Sequence, residues 1–248
     1  MSEPRFKISI IVPAYNEEDG IQAALERFIE CIEKFDFAAE LCVVDDGSRD
    51  RTWELAQQAV EGISWVRLIR HETNLGQVHA IQRGFAESQG EYVTHNGVDL
   101  MFDPAQTPLL VEAMEQGADV VVVERKDRSA YGIIRKVMSR ANVALAKLLL
   151  KSPVHDHNFI QAYRREVIEA ITIETDGVST VTPEWIVKAF RMGYRVVSMK
   201  LPYHPRELGD STITLKNTLH SILQLFRLAR IVRKVPISEG RHANSATA

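Results

Sequence analysis

Two short stretches constrain this chain more than any others: IVPAYNEEDGI, from Ile11 to Ile21, and LCVVDDGSRDRT, from Leu41 to Thr52. Each is an apolar run that breaks into a polar turn, with acidic and small residues where a strand would hand over to a helix. Open α/β sheets bind their ligands at the carboxyl ends of the strands. Two such turns in succession point to a nucleotide site built by adjacent strands.

The rest of the pattern agrees. Strand-like runs recur as ISIIVPA, ELCVVDD, VRLIRHE, EYVTHNGVDL, ADVVVVER and YRVVSMKLP. Helix-length segments lie between the early ones. In GIQAALERFIECIEKF, Ile21, Ala24, Leu25, Phe28, Ile29 and Ile32 recur at the spacing of an amphipathic helix. Thr52–Val60 and Val78–Ser88 read the same way. This alternation predicts an α/β fold with a Rossmann-like, mostly parallel sheet flanked by helices. Beyond Ala118 the alternation loosens. A loop, SPVHDHNF, leads into QAYRREVIEAI, and PEWIVKAFRMG reads as a helix opened by Pro183 and closed at Gly193. Thr214–Val232 reads as a last amphipathic helix. The expected organisation is one domain over residues 1–212, a helix over 213–235 and a polar, disordered tail over 236–248.

A net charge of −3, from 30 basic and 33 acidic residues, leaves no electrostatic footprint for nucleic acid. Cys31 and Cys42 are too few and too far apart for a disulfide framework or a zinc knuckle, and they fit a reducing, cytoplasmic setting. No apolar stretch follows the N-terminal charges, so no signal peptide is expected. No run approaches the roughly 20 apolar residues that span a bilayer, and VALAKLLL is interrupted by Lys147.

The two turns can be read chemically. Pro13 fixes the strand exit and lacks an N–H donor, so the turn's carbonyls and remaining N–H groups can face a ligand. Glu17 is then placed to accept from a ribose diol. In VVDDGS an aspartate at the strand end can accept from a base N–H, and Gly47 permits the tight turn. Asp46, Ser48 and Asp50 could equally cap the helix that starts near Thr52.

PAYNE, VVDDGSRDRT, HETNLGQVHAIQRGFAESQGEYV, a short acidic element and RELGDS together resemble the family 2 glycosyltransferases of GT-A fold. Arg135 with Ser139, HDHNFIQAYRREV and the PEW helix extend the resemblance to the dolichyl- or polyprenyl-phosphate sugar synthases. It covers residues 7–212. The resemblance implies inverting transfer of a sugar from a UDP- or GDP-linked donor to a polyprenyl phosphate. Transfer to a glycan or other hydroxyl acceptor, and nucleotide-sugar binding without turnover, are the alternatives. It also implies that Pro13, Tyr15, Glu17, Val44 and Asp46 line the nucleoside pocket and that Gln77 approaches the nucleotide.

GT-A enzymes usually carry Asp-x-Asp after the fourth strand, whose carboxylates hold Mg²⁺ or Mn²⁺ against the donor diphosphate. Here YVTHNGVDLMFDP puts Asn96 at the first position and leaves Asp99 as the best metal ligand, with Asn96 offering a neutral carbonyl. Asp103 is a second choice or the N-cap of the next helix, and His95 is a strand-end residue or an extra ligand. Either weaker metal affinity than in Asp-x-Asp relatives or a partly dispensable metal is expected. By resemblance, Arg125 and Arg206 bind phosphate, and Arg135 meets the acceptor phosphate. Thr212 stands where the family carries lysine. For a hydroxyl acceptor Asp156 or Glu184 would be the base, although Glu184 could simply favour a helix first turn. The last helix, with Lys216, Arg227, Arg230, Arg233 and Lys234, suits peripheral contact with the inner face of a membrane. Packing on the parent domain or in a homodimer interface would explain it equally.

Overall fold

The computed structural model describes residues 5–125, 149, 150, 152, 154, 159–203 and 215–238. They fall into two compact units, one comprising residues up to Gln116 with Ala162–Arg165, the other Gly117–Gln161 with Glu166 onward. In chain order the elements begin β1 (Phe6–Ala14), α1 (Ile21–Ile32), β2 (Ala39–Asp45), α2 (Thr52–Ala59), β3 (Val66–Arg70), α3 (Gln77–Glu87) and β4 (Gly90–His95). A 3₁₀ turn (Pro104–Gln106), α4 (Thr107–Glu115), β5 (Val120–Arg125), β6 (Ile160–Arg164) and α5 (Arg165–Ala170) follow. The chain continues with α6 (Val178–Arg191), β7 (Val196–Leu201) and α7 (Leu215–Val232).

In the first unit β3, β2, β1 and β4 lie side by side in that order, all parallel. The end of β6 runs antiparallel to β4, with Tyr92 opposite Arg164. The central strands are apolar almost throughout because both faces are covered: Ile8, Ile10, Ile11 and Val12 of β1 and Leu41, Cys42, Val43 and Val44 of β2 are at most 1% exposed. Helix α1 buries Ile21, Ala24, Leu25, Phe28 and Ile32 of the stripe its sequence period predicts, with Cys31 in addition, while Ile29 is half-buried. Helix α3 seats on β1 at Gly84, where a Cβ would come within 2.5 Å of the Ile11 side chain.

A buried polar corner joins α3 to β4. Glu40 accepts from the Ser9 hydroxyl at 2.6 Å and from the N–H groups of Gln89 and Gly90. Arg165 donates to the carbonyls of Phe85 and Gly90 and to Ser88 Oγ. These contacts hold the amino end of β4, opposite to the end where ligands bind.

In the second unit β5 and β7 pair in parallel. Helix α6 opens at Val178, so Pro183 lies inside it instead of starting it. Gly177 provides that earlier start: its carbonyl accepts from the N–H of Thr180 and Val181 and from the Thr180 hydroxyl. Leu225, Leu228, Ala229 and Val232 of α7 pack with Val187 of α6 and with Leu150. Among the described residues no helix is long and apolar enough to cross a membrane.

Candidate functional site

The PAYNE and DDGSRD turns form one laced ridge at the carboxyl ends of β1 and β2. The Asn16 N–H donates to Ser48 Oγ at 3.0 Å, and the Arg49 N–H returns to Asn16 Oδ1 at 3.0 Å. The Glu17 N–H donates to Thr52 Oγ1 at 2.8 Å, the Glu18 N–H to Asp50 Oδ2, and the Arg51 N–H to Glu18 Oε2. Asn16 adopts φ +53°, a left-handed conformation that asparagine tolerates better than most residues. Asp50 also caps α2, accepting from the Thr52 N–H and hydroxyl. Sequence reading gave Ser48 and Asp50 a capping alternative, but it missed that Asn16 and Thr52 cross-link the two turns. The left-handed asparagine beside a run of hydroxyl and acid residues is the signal that could have shown it.

Asp46 works inward. It is 2% exposed. Its Oδ1 accepts from the Leu75 N–H at 2.9 Å and contacts His71 Nδ1 at 2.7 Å, while Oδ2 accepts from the Gly76 N–H at 2.7 Å. A carboxylate offers about four acceptor positions, and three are filled by this chain. Asp46 therefore fixes the loop that delivers α3, and its capping alternative is not realised. Neighbouring Asp45 pairs with Arg70 at 2.9 Å, whose guanidinium lies 5.2 Å over the Trp53 ring. Gly47 sits at φ +72° where a Cβ would meet the backbone of Thr73 at 2.5 Å, so the turn and the 71–76 loop touch through it.

The strand end of β4 differs from expectation. Asn96 is 3% exposed; its Nδ2 donates to the Phe102 carbonyl at 2.8 Å and its Oδ1 accepts from the Gly97 N–H at 2.9 Å. As the expected neutral metal ligand it has limited capacity, because both ends of the amide already hold the 97–102 loop and leave Oδ1 one acceptor position. Asp103 accepts from the Ala105 N–H and pairs with Arg27 at 3.1 Å, so it caps the 3₁₀ turn. Asp99 is exposed on the loop between them. A Cβ at Gly97 would approach Asp99 Oδ1 to 2.5 Å, so glycine makes room for that carboxylate. His95 is a core-side residue: burial pushes its imidazole down to about 4, and its buried Nδ1 has no hydrogen-bond partner among the described residues.

The first unit thus brings together Pro13, Tyr15, Glu17, Asp46, Gln77, Asn96 and Asp99 at its strand ends. Tyr15 is 38% exposed, and Gln77, the first residue of α3, is exposed as well. Val44 pairs with Pro13 but is wholly buried. It has no surface to offer a ligand, which corrects its assignment to the pocket lining. Leu75 had no place in the sequence reading, yet it is 53% exposed beside its Asp46-bound amide.

In the second unit Arg125 ends β5 with its guanidinium 5.4 Å over the Phe159 ring. Glu184 is 0% exposed. Its Oε1 accepts from the Glu174 N–H and pairs with Lys188 Nζ at 2.7 Å; its Oε2 accepts from the Thr175 N–H and hydroxyl. With about four positions filled it has no capacity left to take a substrate proton. Glu184 is a structural anchor, not the expected base, and it lies beyond the first turn of α6. Arg135, Asp156 and Arg206 lie outside the described residues. Among the described residues no three His, Cys, Asp or Glu side chains cluster as a metal site.

Residues 9–172 match the family model described as glycosyl transferase family 2. The chain is 30% identical over 222 residues to an undecaprenyl-phosphate 4-deoxy-4-formamido-L-arabinose transferase of Proteus mirabilis, covering 88% of this chain and 67% of that protein. The Yersinia pestis protein of the same name is 31% identical over 227 residues, covering 91% and 68%. In three dimensions the chain is similar to glucosyl-3-phosphoglycerate synthase of Mycobacterium tuberculosis, solved with Mn²⁺, UDP and glucosyl-3-phosphoglycerate. The TM-score is 0.69 at 20% identity, covering 95% of this chain and 82% of that one. The same synthase has been solved with Mg²⁺ and UDP, again at TM-score 0.69 and 20% identity, over 95% and 82% of the two chains. A strand-end site on a mostly parallel mixed sheet, and a family match across most of the sequence, have one meaning: the chain belongs to the family 2 glycosyltransferases of GT-A fold.

Proposed function

We propose that this enzyme transfers a sugar, with inversion, from a UDP- or GDP-linked donor to a polyprenyl phosphate on the cytoplasmic side of a membrane. The observation that carries the reading is the division of labour at the strand ends. Ser48, Asp46 and Asn96 hold the loops, while Tyr15, Glu17, Gln77 and Asp99 remain at the surface. Relatives named undecaprenyl-phosphate transferases support the acceptor. The saturated Glu184 leaves Asp156 alone of the two candidate bases for a hydroxyl acceptor. A lipid phosphate is already an anion and needs little general-base help, whereas a hydroxyl acceptor requires a base.

In this reading Tyr15 and Glu17 meet the nucleoside and Gln77 the diphosphate. Asp46 positions that wall from behind. Arg125, Arg135 and Arg206 hold phosphate oxygens as bidentate donors. Mg²⁺ characteristically takes one or two carboxylates and completes its shell with substrate phosphates and water. The exposed carboxylate of Asp99 fits a metal that arrives with the donor. Once bound, such an ion offsets charge on the departing diphosphate. Catalysis then consists of aligning the acceptor oxygen behind the anomeric carbon and stabilising the leaving group.

The test is a panel of UDP- and GDP-linked sugars incubated with a short-chain polyprenyl phosphate, with products read by mass spectrometry. A glycosylated polyprenyl phosphate from one donor class is expected. Transfer only to hydroxyl acceptors, or nucleotide binding with no transfer, would overturn the reading.

A further inference from the structure

We propose that the outward face of α7 is a docking surface for an anionic lipid bilayer. Packing accounts for only part of the apolar content of this helix. Leu225, Leu228, Ala229 and Val232 face inward against Val187 and Leu150, and that contact fixes which side faces out. Leu223 is 62% exposed and Phe226 52% exposed. Arg227 and Arg230 are exposed as well, and spacings of three, four and seven residues from Leu223 place all four side chains on one face. Exposed Arg233, Lys234 and Ile237 continue the surface past the helix end.

Single exposed apolar residues need no explanation. Two large ones a turn apart, interleaved with arginines, form the arrangement that settles a helix into the headgroup layer. The apolar groups enter the acyl boundary and the guanidiniums meet lipid phosphates. Charge selects the partner. No acidic residue occurs from residue 211 to 238. At the helix end the Glu174 carboxylate lies 3.8 Å from Lys234 and is shared with Lys188. An acidic surface with an apolar interior suits this face better than a second copy of it, which would bring arginine against arginine. The surface stands on its own observation and rests on the proposed acceptor only for the reason a bilayer should be present.

The experiment is co-sedimentation of the full chain with vesicles of phosphatidylcholine alone or mixed with phosphatidylglycerol. Wild type, Leu223→Ser/Phe226→Ser and Arg227→Gln/Arg230→Gln are compared; circular dichroism confirms that these surface changes leave the fold intact. Wild type is expected to bind the anionic vesicles, to be released by high salt and to ignore pure phosphatidylcholine. Each double variant is expected to bind roughly tenfold or more weakly. Transfer to a water-soluble short-chain acceptor should be unchanged in both variants, so a failure of the proposed reaction shows separately from a failure of docking. Absence of vesicle binding, binding unchanged in both variants, or a dimer that the apolar pair disperses while vesicle binding persists would overturn the proposal.

Discussion

Asp46, Asn96 and Asp103 commit their side chains to the chain's own backbone or to Arg27, whereas Asp99 lies exposed on the same rim. That contrast sets opposite expectations for two alanine substitutions. Asp46→Ala leaves the part-buried amides of Leu75 and Gly76 and the buried His71 ring without their shared partner, and should cost about 2–4 kcal/mol in denaturant unfolding. Asp99→Ala should unfold like wild type and lower turnover by about 10²-fold, the scale of removing one group that stabilises developing charge; full activity would remove Asp99 from the reaction. His95 gives a pH test. Its folded value near 4 lies below the ordinary 6.5, so between those values the unfolded state binds more protons and stability falls with acid. Between pH 7.5 and pH 5 the loss from this residue should be about 2 kcal/mol. Replacement by Leu should remove that part of the pH dependence. Which residues cluster at the strand ends was legible in the sequence, since apolar runs ending in polar turns place them there. Which of them face inward was not, because the partners of Asp46 arrive from residues 71–76 and that meeting depends on three-dimensional register.

The early helices were legible for the same reason. Their apolar stripes repeat at helical period, and α1, α2 and α3 begin within a residue of where the pattern places them. Strand β6 was not among the strands read from sequence. It is buried from Ile160 to Tyr163 and shows no alternation, so its strand state comes from pairing with β4 and not from its own period. Helix α6 misled in another way: Pro183 carries the signal of a first turn, whereas the Gly177 carbonyl starts the helix ahead of it, and Glu184 and Lys188 then pair within it. Glu184→Gln should therefore lower stability by about 2 kcal/mol or more by breaking a buried ion pair, with turnover retained by the folded fraction. The two loop glycines at the site should also separate. Gly47→Ala forces a side chain into the Thr73 backbone as well as a left-handed φ, while Gly76→Ala, at φ +96°, meets nothing within 4 Å. Thermal unfolding should show the first costing clearly more than the second, whose strain alone is about 1–3 kcal/mol.

At the scale of the molecule, the two turns that dominate the sequence become one laced ridge, and the chemistry proposed for it is transfer to a lipid phosphate. The altered acidic element does not abolish that chemistry on physical grounds. Asn96 has taken a loop-holding task, and one carboxylate with the donor's own phosphates is enough to seat a divalent ion. The most direct measurement is nucleoside diphosphate release from the matching nucleotide sugar, followed with and without polyprenyl phosphate in otherwise identical reactions. Release should depend on the acceptor, saturate with it and match glycosylated lipid one for one. Release that proceeds at the same rate without acceptor, or binding of the donor with no release at all, would contradict the account.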